Sequence, residues 1–370
     1  MCRPGGAGCR ASRAPDVGRR PRKVQAVSRF RDEIGQQPEI AARLLAQSGS
    51  ALEAIAREFD VHRPRGFVIA ARGSSDHAAD YGRYLFGRRQ RMLVSLAAPS
   101  MFTHYASPPS LEGQCVIGIS QSGESPDVIA VIAEAARQGA LTIAITNEAG
   151  SPLGTAARLV VPMLAGPELS VPASKTYLAS LMALAMISAA LAPDAGFQRA
   201  LEQVPDKLRE AMDKEEGLAP LARALTGPRA IVLGRGFNLC TAEEVALKLT
   251  ETSYVLARAW SVADFVHGPI AVAEPGFPVL LVGAGGSVAK DVEAIAARLT
   301  ELGCRVMGLF DCTSAPLPQD SAVRIDSGLP EELTPLTLAV LGQLLAHQVA
   351  IAKGVDPDVP RALRKVTRTW

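Results

Sequence analysis

The sequence predicts an α/β protein built from two tandem, doubly wound parallel sheets. Short apolar runs recur along the chain, each followed by a glycine-containing turn and a helical pattern, which is how buried parallel strands with crossover helices read. That succession occurs twice. Aromatic residues make up only 5% of the chain against 48% hydrophobic residues, so alanine, valine, leucine and glycine must do the packing. Small side chains suit helices laid on parallel strands better than a β-sandwich. At 370 residues with 21% charge, the chain has room for two domains.

From the N-terminus, residues 1–24 carry seven arginines and lysines against the single acid Asp16, although the net charge of the whole chain is only +2. Rich in proline and glycine and without hydrophobic periodicity, this arm reads as a disordered leader, with a transit peptide or a nucleic-acid tail as the alternatives. A first unit is expected over 25–205. Its strand and turn signals lie in "GFVIAARGSSDHAADYGRYLF" and "QCVIGISQSGESPDVIAVIAEAARQGALTIAIT". The apolar stretch Leu178–Ala192 is shorter than the roughly 20 residues a membrane span needs, and Pro193 ends it, so it reads as a buried helix. A second unit is expected over 206–354, with "RAIVLGRGFNLCTAEEVALKLTE" and "FPVLLVGAGGSVAKDVEAIAARLTELGCRVMGLF". Residues 355–370 form a polar, proline-punctuated tail that reads on its own as a frayed terminus.

Each unit shows strand, turn, helix, strand, turn, helix, strand, and the copies differ at their turns. The first copy has Ser120, Gln121, Ser122, Gly123, Glu124 and Ser125 where the second has "GAGGSV", with little to donate. Its earlier turn has Gly73, Ser74 and Ser75 opposite Gly236, Phe237 and Asn238. Ligands of open parallel sheets bind beyond the carboxyl ends of the strands, where these serines lie. A turn that opens a helix presents unpaired N–H groups, and serines add donors without blocking close approach, which suits a phosphate monoester. The competing reading is a helix N-cap and turn. Two serine clusters one strand apart in the same copy favour phosphate, and the absence of lysine or arginine in "ISQSGESPD" suits a phosphate kept as a handle. No GxxxxGK[ST] is present, and neither "GRGFNL" nor "GAGGSV" completes GxGxxG, so no nucleotide cofactor is expected. Six scattered cysteines lack metal-ligand spacing and read as reduced thiols of a cytoplasmic protein; no metal is expected.

In "TAEEVALKLTETSY", Glu244, Lys248 and Glu251 share one helical stripe, which could be a catalytic acid, base, acid array or a solvated face. His267 precedes Gly268 and Pro269 in "DFVHGPIAV" and by itself reads as structural.

Together these motifs resemble the sugar isomerase (SIS) family, and within it the isomerase half of the glutamine:fructose-6-phosphate amidotransferases. The resemblance runs from about Phe30 to Lys365 through "FRDEIGQQPEI", "SQSGES", "VPASKTY", "LGRG", "EEVALKLTETSY", "HGPIAV" and "LLAHQVAIAKGVDPDVPRALRK". It implies two SIS subdomains, each a flavodoxin-like three-layer sandwich. It further implies that Gly73, Ser74, Ser75, Ser120, Gln121, Ser122, Ser125 and Val171 hold a hexose 6-phosphate or amino-hexose 6-phosphate. Glu251 matches the acid that moves a proton between C1 and C2, His267 the ring-opening residue, and Lys365 the tail lysine able to form an imine, so that residues 355–370 are expected to close the active site, while Glu244 and Lys248 frame it. In that family the histidine comes from a neighbouring subunit, which implies a homodimer with the site at the interface. Neither membrane nor nucleic acid is an expected partner.

Departures from the pattern also count. About two dozen residues precede the lead-in helix, too few for the glutaminase domain that the synthases carry, so Cys2 in "MCRPGG" is not expected to be a nucleophile. Arg72 replaces a cysteine and Ala173 a serine, and the tail after Lys365 is shorter, as in stand-alone SIS enzymes acting on amino-sugar phosphates. The expected activity is a glucosamine-6-phosphate deaminase or isomerase. The alternatives are synthesis with external ammonia or a separate glutaminase, a fructosamine-phosphate deglycase, and, from another class, a sugar-phosphate-sensing regulator.

Overall fold

The computed structural model describes residues 28–312, 314, 316–363 and 365; the basic arm, with Cys2, lies outside them. Three helices lead in: α1 (Arg29–Gly35), α2 (Gln37–Gln47) and α3 (Gly49–His62). The first sheet follows as β1 (Gly66–Ala70), α4 (Ser74–Arg89), β2 (Leu93–Leu96), α5 (Ser100–Thr103), β3 (Gln114–Ile119), α6 (Pro126–Arg137), β4 (Leu141–Thr146), α7 (Pro152–Ala156) and β5 (Leu159–Pro162). Helices α8 (Lys175–Leu191), α9 (Ala195–Met212) and α10 (Ala219–Ala224) lead to the second. There β6 (Arg229–Gly234), α11 (Leu239–Ser253), β7 (Leu256–Ser261), α12 (Val262–Val266), β8 (Pro278–Ala284), α13 (Ala289–Glu301), β9 (Arg305–Asp311) and β10 (Ala322–Ile325) precede α14 (Thr334–Ala352).

All paired strands run parallel, in the orders β2-β1-β3-β4-β5 and β10-β9-β8-β6-β7. Read from β7, the second order is the first one again, so the duplication expected from the sequence is a duplication of topology. Its register persists in the backbone. The same number of residues separates Gly73 from Gly236 and Gly123 from Gly286, and all four have positive φ, at 58°, 60°, 65° and 121°.

The three strands expected per copy are the central ones, and the structure adds β2, β5, β7 and β10. β2 and β7 make no continuous apolar run because an edge strand is only partly covered: both alternate exposed and half-buried residues over most of their length. Helix α9 runs unbroken through residues 205 and 206, with Pro205 inside it.

Between the sheets, α4, α8, α11 and α14 form one layer shared by both copies. A single apolar core runs through it, including Ile69, Leu181 and Leu184 from the first half and Val232, Val245 and Leu344 from the second. Separate smaller clusters cover the far faces, with Val116, Val131 and Ile132 on one sheet and Leu233, Val279 and Leu299 on the other. The described helical segment long and apolar enough to cross a membrane, Glu331–Ala352, is 83% buried inside the protein; its apolarity is that of a central helix packed on all sides.

Small residues set the spacing in this layer. A methyl group at Gly82 would reach Ile69 and one at Gly342 would collide with the branched side chain of Val245, so α14 meets α11 only because position 342 has no side chain. Replacing Gly342 by alanine must push apart the helix that carries Glu244, Lys248 and Glu251. We expect Gly342→Ala to cost about 1–3 kcal/mol despite alanine's better helix propensity, read as a lower urea midpoint.

Candidate functional site

Both serine loops open on one cavity of about 430 Å³ at the carboxyl ends of β1 and β3. These adjacent strands lie where the strand order of the sheet reverses, the position at which open α/β sheets bind ligands. Gly73 and Gly123 make the two strand-to-helix turns, and the space beside Gly123 is filled by Ser151, so a side chain there would clash as well as strain the backbone.

The choice between a capped turn and a ligand grip resolves into both. Ser120 Oγ accepts from Gly123 N at 3.2 Å and Ser122 Oγ accepts from Glu124 N at 3.3 Å, so these oxygens do shape the turn. A hydroxyl that accepts still has its hydrogen to donate, and none of the described residues takes it. Ser125 occupies the N-cap position of α6 without making a side-chain cap bond, and α4 also opens without one. Two uncapped helix N-termini and several serine donors therefore face the same cavity, which suits an anion.

Helix α11 forms another part of the lining. Its charged stripe is not solvated: the side chains of Glu244 and Lys248 are each 1% exposed and that of Glu251 is 21% exposed. Lys248 Nζ lies 2.5 Å from Glu251 Oε2 and 3.5 Å from Glu244 Oε1. Glu244 stands behind the lining, where it accepts from Ser74 Oγ at 3.0 Å and lies 2.9 Å from His77 Nδ1. Burial opposes its ionised form, but Lys248, His77 and Ser74 outweigh burial and hold the carboxyl below its ordinary range. Burial likewise opposes the Lys248 ammonium, and the carboxylates of Glu244 and Glu251 more than offset it, leaving the lysine's pKa raised.

Among the described tail residues, Leu363 and Lys365 line the cavity. Lys365 Nζ reaches Glu168 Oε2 at 2.6 Å, and Glu168 also accepts from Ser174 N, Thr176 N and Thr176 Oγ1 at the start of α8. Asp358 accepts from the backbone N–H groups of Arg29 and Phe30, both at 2.9 Å, and so caps α1 with the tail.

Of the residues singled out from the sequence, Gly73, Ser74, Ser75, Ser120, Gln121, Ser122, Ser125, Val171, Lys248, Glu251 and Lys365 all line this cavity. His267 does not. It is exposed after α12, beside Val262, Asp291 and Arg298. The lining also includes Arg72, Glu168, Ala173, Thr176 and Tyr177. Arg72, at the start of the first serine turn, puts a cation in the same cavity as "ISQSGESPD", which has none of its own, because the fold sets β1 beside β3. Glu168 had a signal that went unread: "PE" occurs at Pro167-Glu168 and again at Pro330-Glu331, at the same spacing as the paired glycines.

That second acid explains the silent copy. Glu331 Oε2 accepts from Ser287 N at 2.9 Å, in the turn after β8 that corresponds to the serine loop. The turn does have a donor, and the protein's own carboxylate takes it.

A family model described as SIS domain matches residues 62–190 and 226–353. Over 343 residues the chain is 32% identical to a glutamine-fructose-6-phosphate aminotransferase (isomerizing) of Thermococcus kodakarensis, covering 90% of this chain and 56% of that protein. The chain thus spans little more than half the length of such relatives. Among solved structures, a candidate phosphosugar isomerase of Silicibacter pomeroyi DSS-3 is 33% identical with a TM-score of 0.80, covering 90% of this chain and 100% of the other. The C-terminal domain of glucosamine-fructose-6-phosphate aminotransferase from Francisella tularensis shares the fold, with a TM-score of 0.82 at 22% identity, covering 90% of this chain and 98% of the other.

A pH signature follows from His77. Burial opposes the imidazolium, but the hydrogen bond and charge of Glu244, helped by Glu243 and opposed by Lys248, raise its pKa above 6.5. Its interaction with Glu244 therefore contributes in full below pH 6.5 and is lost as pH rises through the raised value. Thermal melts of His77→Gln should show the largest loss of Tm below that pH and a shrinking loss toward pH 9. A deficit independent of pH would show that His77 acts by packing alone.

Proposed function

The chain belongs to the SIS domain family, and on that premise we propose that its cavity converts glucosamine 6-phosphate and water to fructose 6-phosphate and ammonia. The observation that carries this reading is the meeting, in one cavity, of serine donors at uncapped helix ends with the Lys248–Glu251 pair and Lys365. The phosphate is held by Ser75, Ser120, Gln121, Ser122 and Ser125. That grip leaves C1 and C2 toward Glu251.

The chemistry needs one carboxylate that can move a proton between neighbouring carbons. His267 of a neighbouring copy opens the pyranose, giving a C1 aldehyde beside the C2 amine. Glu251 removes the C2 proton as the electron pair moves into an enolamine and the former aldehyde oxygen O1 takes up a proton; Glu251 then returns a proton to C1 as the nitrogen gives one up, leaving an imine at C2. Water adds to that imine, ammonia departs, and the C2 ketone of fructose 6-phosphate remains. Lys248 steadies Glu251 between the two transfers. Lys365, ion-paired to Glu168, donates to O2 or N2. His267 is exposed and outside its own chain's cavity, so this sequence operates in a homodimer; the setting is cytoplasmic.

Ammonia release is preferred to synthesis because of two departures that both line the cavity, Arg72 for a cysteine and Ala173 for a serine. The name carried by the Thermococcus relative favours a second reading, in which the same proton transfer runs toward the amino sugar.

The test is ammonia and fructose 6-phosphate formed from glucosamine 6-phosphate by the purified chain. Glu251→Gln should lower kcat by about 100-fold to 10,000-fold and leave calorimetric binding of fructose 6-phosphate nearly unchanged. Consumption of fructose 6-phosphate and a nitrogen donor, with no deamination, would select the synthetic direction. Tight sugar-phosphate binding without turnover of either kind would overturn the enzyme reading in favour of a sensor.

A further inference from the structure

The two serine loops share a cation that stands at the start of the first. Arg72 lies between β1 and Gly73 and lines the cavity with the serines. Its Nε and one terminal nitrogen both donate to a single oxygen, Oδ2 of Asp127, at 3.0 and 2.8 Å. The arginine side chain is 46% exposed and that of the aspartate 4% exposed. The guanidinium is therefore held at one edge by a buried partner, and its remaining N–H groups have no acceptor among the described residues.

Asp127 is the second residue of α6, the helix whose first turn faces the cavity. A buried carboxylate there complements the helix dipole, but it would also repel an anion arriving at the same helix end. Thr103 Oγ1 donates to its other oxygen at 3.4 Å. The Arg72 guanidinium, shared between Asp127 and the cavity, offsets that repulsion. The other two cations lining the cavity, Lys248 and Lys365, are committed to Glu251 and Glu168.

We propose that Arg72 is the charged member of the anion site: it binds the phosphate of the substrate directly, and Asp127 is the positioning residue that aims it. This rests on the reading that the serine loops hold a phosphate monoester, and it makes recognition depend on charge, which serine donors alone would not. Arg72 then acts on binding and leaves the proton transfer at Glu251 untouched.

Calorimetric titration with fructose 6-phosphate, inorganic phosphate and unphosphorylated fructose, at about 50 to 500 mM salt, tests this. Arg72→Met should weaken fructose 6-phosphate binding by about 10-fold to 100-fold and flatten its salt dependence, with fructose unaffected. Arg72→Lys should recover part of the loss, because charge returns without the two-pronged geometry. Arg72→Gln, which keeps a hydrogen-bond donor, should behave like Arg72→Met and guards against an effect of shape alone. Asp127→Asn should weaken phosphate ligands less than Arg72→Met and leave kcat at saturating substrate nearly unchanged. Wild-type affinity and salt dependence in Arg72→Met would overturn the proposal for Arg72 while the phosphate reading stood. A wild type that binds fructose 6-phosphate no more tightly than fructose would overturn the phosphate reading itself.

Discussion

The arrangement turns on a buried charge cluster: Lys248, on α11, set between Glu244 and Glu251. An ammonium with 1% of its side chain exposed survives only if carboxylates surround it, and each carboxylate in turn needs the lysine. Removing Lys248 strips both carboxylates of their shared cation, at a cost of about 3–5 kcal/mol. Glu244 carries this constraint across the two halves, because its oxygens meet Ser74 and His77 on α4 while its helix belongs to the second sheet. The serine loop and the acid of the other half are thereby held in fixed relation. Loop 164–174 is held in a similar way from outside. Glu33 of α1 accepts from the backbone of Leu169 and Ser170 and from the Ser170 hydroxyl, and Glu168 of that loop receives Lys365 from the tail.

Duplication supplied the frame, and divergence within it made one functional site. Both copies retain the two positive-φ glycines at their strand-to-helix turns and a Pro-Glu pair after the last strand. In the first copy that glutamate caps α8 and leaves the serine loop open; in the second it binds the loop itself. A carboxylate on the Ser287 N–H does within the protein what an anionic ligand does at a helix start, so the second turn has no need of one. The first turn, with serines whose hydrogens are unspent, still has that need.

Much of the candidate site was legible because its residues come in local clusters with a mechanism. Serines beside glycine at the end of an apolar run mark a strand-to-helix turn, and Glu244, Lys248 and Glu251 share a face at helical spacing. Burial of that stripe was not legible, since a charged face at the same spacing is ordinarily solvated and only the packing of α4 against it, with Ser74 and His77 on Glu244, decides otherwise. The edge strands were missed for the converse reason: β2 and β7 are half exposed and look like loops. Arg72 and Glu168 lie within 50 residues of the serine loop, yet their meeting with it depends on strand order and not on sequence distance.

By itself the sequence determined the two-sheet α/β class, the duplication, the loss of serines in the second copy and the identity of most cavity residues, because periodicity and turn chemistry are local properties of a chain. Tertiary structure alone decided which charges are buried together, that Glu331 fills the second loop, that Arg72 shares a cavity with Ser120, Ser122 and Ser125, and that His267 lies away from its own chain's cavity. Those outcomes depend on which elements pack side by side, and no local pattern records the burial that converts a surface ion pair into a mutual requirement.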